Sequence, residues 1–192
     1  MYEGMADFPR EEYSWYYGYE VIKPHLVSFV NQVFGAVKKS ELKILVPGCG
    51  NDPLILDLYN DGYTNLVGFD YSEGAIERQQ DLLEYLPIGS NLDNVELRVE
   101  DARSLPEDWG NKFDIIVEKG ALDAIYLSGD GNFESSTEEL NRVLKDGGVC
   151  ISCSGVVPTN LRKEGFPTDL WEWLRDGADD LKAGSFVFKK LR

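Results

Sequence analysis

The stretch Leu42-Lys43-Ile44-Leu45-Val46-Pro47-Gly48-Cys49-Gly50-Asn51-Asp52 decides the fold. Its apolar run, Leu42 to Val46, is short and ends in Pro-Gly-Cys-Gly, which reads as a buried strand running into a tight loop. Two glycines around one residue let the backbone turn sharply and approach a ligand, since neither carries a Cβ.

Working outward, Leu54 to Tyr59 reads as a helix behind the loop, and Leu66 to Asp70 as a second strand ending on an acid. Ser72 can cap a helix that runs to Leu86, with Ala75, Ile76, Leu82, Leu83 and Leu86 on its apolar face and Pro87 ending it. Strands follow at Val95 to Glu100 and Phe113 to Val117, helical patterns at Ala121 to Tyr126 and Ser136 to Leu144, and then a Gly147-Gly148 turn and the strand Val149 to Ser154. Further on, Thr168 to Arg175 reads as a helix carrying Trp171, Trp173 and Leu174 toward the core, and Ser185 to Lys190 as a strand. Short apolar strands alternating with amphipathic helices predict a doubly wound α/β domain, its mostly parallel Rossmann-like sheet covered on both faces.

Upstream, residues 1–23 form an aromatic, acidic arm with Tyr13, Trp15, Tyr16, Tyr17 and Tyr19 around Gly18. Pro24 is placed to open a helix bearing Leu26, Val30, Val33 and Val37. The expected organisation is this arm followed by one domain, 24–192.

Composition narrows the function classes. The chain has 192 residues, 43% of them hydrophobic, enough for one well-filled core and too few for two ordinary domains. It holds 34 acidic against 19 basic residues, a net charge of −15, with no basic stripe for a phosphate backbone, which argues against nucleic acid. No long apolar run suits a membrane span, and Met1 to Arg10 lacks the order of a signal peptide, so a soluble cytoplasmic protein is expected. The cysteines Cys49, Cys150 and Cys153 and the one histidine, His25, are too few for a four-ligand zinc site without carboxylates, and no metal is expected. Cys150 and Cys153 fall in an apolar strand and read as buried small hydrophobes; His25 reads as a surface residue.

In a doubly wound sheet, ligands gather beyond the carboxyl ends of the strands. The first strand delivers Gly48, Cys49 and Gly50, and the second delivers Asp70, at the interval from the glycines that suits a carboxylate taking two ribose hydroxyls. The third delivers Asp101, able to accept from an exocyclic amine, and Ala102, whose N–H can donate to a ring nitrogen; together these describe adenine. The fourth delivers Glu118-Lys119-Gly120, where the reactive end of the ligand would lie. A dinucleotide fingerprint needs a third glycine where Pro53 stands, and Pro53 offers no N–H to a pyrophosphate, so an adenosyl ligand without phosphate fits better than NAD.

These residues resemble the class I S-adenosylmethionine-dependent methyltransferases. Leu45 to Asn51 is similar to the family's first motif and Val67 to Ser72 to its second-strand motif. Val117-Glu118-Lys119-Gly120-Ala121-Leu122-Asp123-Ala124 and the pair Tyr13 and Trp15 are similar to the elongation-factor lysine methyltransferases, a eukaryotic subgroup. The resemblance implies S-adenosyl-L-methionine as cofactor, contacted by Gly48, Asp70, Tyr71, Asp101, Ala102 and Lys119, with Trp15 closing over it. An aromatic and charged element that usually precedes Tyr13 is reduced here to Tyr2 and Glu3. The resemblance also implies an antiparallel strand pair at the sheet edge, where the local pattern supplies only one clear strand.

The chemistry so implied is methyl transfer to a protein lysine, on a translation factor. Glu118 is the candidate for orienting the amine, or else pairs with Lys119 or Lys112; Asp123 reads as a helix cap. Tyr13, Tyr16 and Tyr17 are candidates to line the acceptor pocket. A small-molecule amine methyltransferase, an aminopropyltransferase and a non-catalytic cofactor-binding protein stay open as alternatives.

Overall fold

The structure, a computed structural model, describes residues 15–129, 131–177 and 183–192. Its chain order is α1 (Tyr19–Phe34), β1 (Ile44–Pro47), α2 (Leu54–Asn60), β2 (Leu66–Asp70), α3 (Glu73–Leu83), β3 (Val95–Val99), β4 (Phe113–Lys119), α4 (Ala121–Leu127), α5 (Asn132–Val143), β5 (Leu144–Ser154), α6 (Thr159–Gly165), β6 (Trp171–Asp176) and β7 (Gly184–Lys190). The strands form one sheet in the order β3-β2-β1-β4-β5-β7-β6. Pairing is parallel from β3 through β5, and β7 runs antiparallel to both its neighbours.

Strand periodicity divides the core in two. Ile44, Val46, Ile115, Val117 and Ile151 meet Leu26 of α1, Leu58 of α2 and Ile76 of α3 on one face. Leu45, Ile116, Cys150 and Phe188 meet Leu122 of α4 and Phe133 and Leu140 of α5 on the other. Both faces are covered, so the central strands are apolar throughout, whereas β3 at the edge is only half buried. Cys150 and Cys153 are free and buried, as expected of small core residues.

Local expectations fail in four places. Helix α1 starts at Tyr19, not at Pro24, which lies inside it. The turn ahead of the proline is held by tertiary contacts: Tyr19 and Ile22 are buried, the Tyr19 hydroxyl donates to Asp61 at 3.0 Å, and Lys23 pairs with Asp61 at 2.7 Å. Helix α3 stops at Leu83, although Ser72 caps it as expected, accepting from the Ala75 N–H at 3.4 Å.

The segment expected as a helix at 168–175 is instead mostly strand β6. Trp171 and Trp173 both pack on Phe188 across the β6–β7 pair, and Leu174, at the bulge between Trp173 and Arg175, packs on the opposite core. The antiparallel edge pair is therefore complete. Helix α6, unforeseen, occupies Thr159–Gly165.

No helix among the described residues is long and apolar enough to cross a membrane.

Candidate active site

Strand order reverses between the parallel neighbours β1 and β4: β2 and β3 are added on one side of this pair and β5 on the other. The crevice of such a sheet opens there, beyond the carboxyl ends. The loop after β1 crosses this point with Gly48 and Gly50 both at positive φ, 55° and 51°. A Cβ on Gly48 would fall 2.7 Å from the Cβ of Ala121 at the start of α4, so glycine is required both for the turn and for close approach.

Asp70, at the end of β2, is 7% exposed. One carboxylate oxygen accepts the Gly50 N–H at 2.9 Å and the other accepts the Ser72 N–H at 3.0 Å. Each oxygen has a second lone pair, so the group can still take two hydroxyl protons. Burial pushes its pKa up against the pull of the backbone N–H donors, the net direction being upward. Cys49 belongs to this loop through its backbone, its N–H donating to the Phe69 carbonyl at 3.0 Å, while its buried side chain joins the core. Burial pushes its thiol well above the ordinary value.

The β3 end is arranged differently. Asp101 is exposed and held by Arg103, whose Nε donates to it at 2.9 Å and whose Nη2 donates at 2.6 Å, with the Arg103 N–H adding a third bond at 2.9 Å. The guanidinium holds the Asp101 carboxyl below the ordinary range. Ala102 follows directly, and Tyr71 stands exposed beside Asp70.

Strand β4 continues through Lys119, so Glu118 and Lys119 lie within the strand and point to opposite faces. Lys119 is buried; its ammonium pairs with Asp52 of the β1 loop and donates to the Trp15 carbonyl at 3.0 Å. Trp15 lies over Gly120, where a Cβ would stand 2.9 Å from the Trp15 Cβ. Tyr13, Tyr2 and Glu3 lie outside the described residues.

Glu118 is held inside the domain. It is 1% exposed, one oxygen accepts the Ser152 hydroxyl and the other accepts the Leu122 N–H at 3.2 Å. It ties α4 to β5, and burial pushes its pKa up to about 7. Side-chain alternation turns Glu118 to the face of the sheet opposite Lys119.

Asp123 does not cap α4 as expected: the N-cap is Gly120, with no side-chain bond, and Asp123 lies in the first turn. It is fully buried and accepts from the Ser154 hydroxyl at 2.6 Å, the Tyr16 hydroxyl at 2.5 Å, and the N–H groups of Gly155, Val156 and Val157 at 2.8, 3.0 and 2.9 Å. Burial opposes its ionisation, but these donors prevail and hold its pKa below the ordinary value. Arg162 completes the cluster, donating to the Ser154 hydroxyl at 2.9 Å and lying 3.7 Å over the Phe186 ring. Nothing in the spacing of Asp123, Ser154 and Arg162 announces this cluster, because the partners come from separate elements.

The loop after β1 is thus tied to Asp70 through the Gly50 N–H and to Lys119 through Asp52, and Asp101 follows the end of β3. Comparison with known proteins identifies the scaffold. A methyltransferase domain model matches residues 38–178. The chain belongs to this methyltransferase family.

Among curated relatives, human "EEF1A lysine methyltransferase 2" is 33% identical over 164 residues, 79% of this chain and 66% of its own length. "Methyltransferase srdJ" of Neurospora crassa is 29% identical over 163 residues, 78% of this chain and 67% of its own length. The chain thus spans about two thirds of these relatives. A solved SAM-dependent methyltransferase from Methanosarcina mazei superposes with a TM-score of 0.62 at 16% identity, covering 78% of this chain and 92% of its own, a likeness of fold. S-adenosylmethionine is the cofactor of such domains, and the site accommodates it: Asp70 keeps acceptor capacity for two hydroxyls, the glycines leave room for close approach, and Pro53 deprives the loop of a phosphate-binding N–H.

Proposed function

We propose that this chain transfers the methyl group of S-adenosylmethionine to a lysine amine of a protein, with a translation elongation factor as the class of acceptor. The observation that carries the cofactor half is Asp70, fixed by two backbone donors yet able to accept more, at the end of the strand next to β1, where strand order reverses. The lysine half rests on similarity to relatives whose names specify EEF1A lysine methylation.

In this reading Gly48, Cys49 and Gly50 present backbone, Asp70 takes the ribose hydroxyls, Tyr71 flanks it, and Asp101 with Ala102 meets the adenine. Lys119 and Asp52 place opposite charges side by side, which suits a zwitterionic amino-acid end. Bound there, the sulfonium supplies an electrophilic methyl group. Transfer to nitrogen needs chiefly positioning and a neutral amine, and a lysine with a solution pKa of about 10.4 becomes neutral more readily where water is excluded. Trp15 and Tyr16, fastened over the β4 end, supply that exclusion; Glu118 works from beneath by fixing α4.

The test is transfer of labelled methyl from S-adenosylmethionine to purified elongation factor 1A and to whole extract, with mass spectrometry of the labelled product. Methyl-lysine in a protein band is expected. Asp70→Ala removes the acceptor of two hydroxyls and leaves two N–H donors unpaired, so it should weaken S-adenosylhomocysteine binding about 100-fold and abolish labelling at micromolar cofactor. Label confined to small molecules would refute the lysine assignment.

A further inference from the structure

The β1 loop is held from behind by a residue that no motif marks. Gln79 lies on α3 with none of its surface exposed. Its Nε2 donates to the carbonyls of Gly50 and Asp52, both at 2.8 Å, and comes within 3.3 Å of the Cys49 carbonyl. One side-chain amide thus gathers three carbonyls from a loop of four residues.

The peptide plane gives this consequence at the cofactor face. In a trans peptide the carbonyl and the following N–H point in opposite directions. Turning the Cys49 carbonyl toward Gln79 turns the Gly50 N–H outward, where it donates to Asp70 at 2.9 Å. Turning the Gly50 carbonyl inward likewise directs the Asn51 N–H toward the cleft. The Asp52 carbonyl anchors the loop's far end, whose side chain pairs with Lys119 and accepts the Leu54 N–H at 3.0 Å.

Packing alone does not account for the amide. Gln79 Oε1 is buried without a hydrogen-bond partner. A methionine would fill similar space without that cost. The donor end is what the site needs.

We propose that Gln79 is a positioning residue for the cofactor: it sets the peptide orientation of the loop 49–52 and, through the Gly50 N–H, the carboxylate plane of Asp70. This rests on the cofactor reading above. Three measurements on the full chain test it. First, calorimetry with S-adenosylhomocysteine should show wild-type binding and a dissociation constant raised about tenfold in folded Gln79→Met, measured well below its thermal midpoint, which falls because the loop carbonyls lose their donor. Second, in the ligand-free protein, amide exchange at Gly50 and Asn51 should quicken about tenfold in Gln79→Met.

Third, Gln79→Glu should bind weakly at neutral pH and recover as pH falls, because a protonated carboxyl regains one donor toward the carbonyls. A side chain that only filled space would give no such pH signature. Gln79→Met binding within twofold of wild type, or exchange at Gly50 and Asn51 unchanged, overturns the proposal. Wild type that fails to bind overturns the cofactor reading itself, whatever the exchange measurement gives.

Discussion

The two halves of the rim solve opposite problems. On the β3-β2-β1 side the groups that would meet a ligand are backbone N–H groups, glycines and two carboxylates; neutral donors, the Gln79 amide and the Gly50 and Ser72 N–H groups, hold the loop and Asp70, and Arg103 holds Asp101. On the β4-β5 side the domain buries Glu118, Asp123 and Arg162 together and Lys119 on the other face of β4, and fastens the arm to Lys119 through Trp15 and to Asp123 through Tyr16. In the proposed function the first half would recognise the cofactor by shape and peptide orientation. The second stores ionisable groups below the surface, where they set the position of a loop, a helix and the arm. Variants of the first should therefore change cofactor affinity, and variants of the second should change stability first.

The largest effect is expected at Asp123. Asp123→Ala removes the acceptor of five hydrogen bonds, three of them from successive backbone N–H groups, and takes from Arg162 one of its two acidic neighbours, Glu118 being the other. Stripping a buried charge from such a set costs about 3–5 kcal/mol. Denaturant unfolding should show that loss, while cofactor affinity in the folded fraction falls only by the share that passes through Tyr16. A stability loss below about 1 kcal/mol would mean that the cluster is not what holds this half together.

Glu118 offers the next contrast because its effect depends on pH. Its folded pKa lies near 7, raised from an ordinary 4.5. A group whose folded pKa is raised lends stability that is complete below its unfolded value and disappears as pH climbs through the folded value. From Glu118 alone, wild-type stability should fall as pH rises from about 4.5 to about 7 and then level off. Glu118→Gln cannot ionise, so the difference between variant and wild type in unfolding free energy should drift in the variant's favour across that window. A difference independent of pH would show that Glu118 is ionised throughout.

The central parallel sheet could be read from the chain because its signals are local. Apolar runs of four or five residues ended by Gly48 and Asp70 specify β1 and β2, and Ser72 marks the start of α3. Strand β6 was misassigned because Trp171, Trp173 and Leu174 satisfy a helical stripe as well as a bulged strand, and only pairing with β7 separates the two. Helix α6, Thr-Asn-Leu-Arg-Lys-Glu-Gly, has a single strongly apolar residue, so no stripe announces it. The site divides the same way. Gly48, Gly50, Asp70 and Lys119 sit at strand ends and are legible from spacing, whereas Gln79 and the partners of Asp123 gain meaning only from side chains brought together across elements.

The arm is where the two halves touch, and it provides the smallest and most discriminating test. Trp15 lies on Gly120 and gives its carbonyl to Lys119, which pairs with Asp52 of the cofactor loop; Tyr16 donates to Asp123 of the buried cluster. Tyr16→Phe removes that one donor and leaves Asp123 its four others, so global stability should fall by only about 1 kcal/mol. If Trp15 covers bound cofactor, loosening the arm should also weaken S-adenosylhomocysteine binding, about fivefold. Asp123→Ala releases the same hydroxyl and should show the same change in affinity on top of its larger loss of stability, and the double variant should add nothing further to the affinity change. Unequal affinity changes in the two single variants would show that the cluster reaches the cofactor by a route other than the arm, and the division between the halves would then have to be redrawn at Lys119.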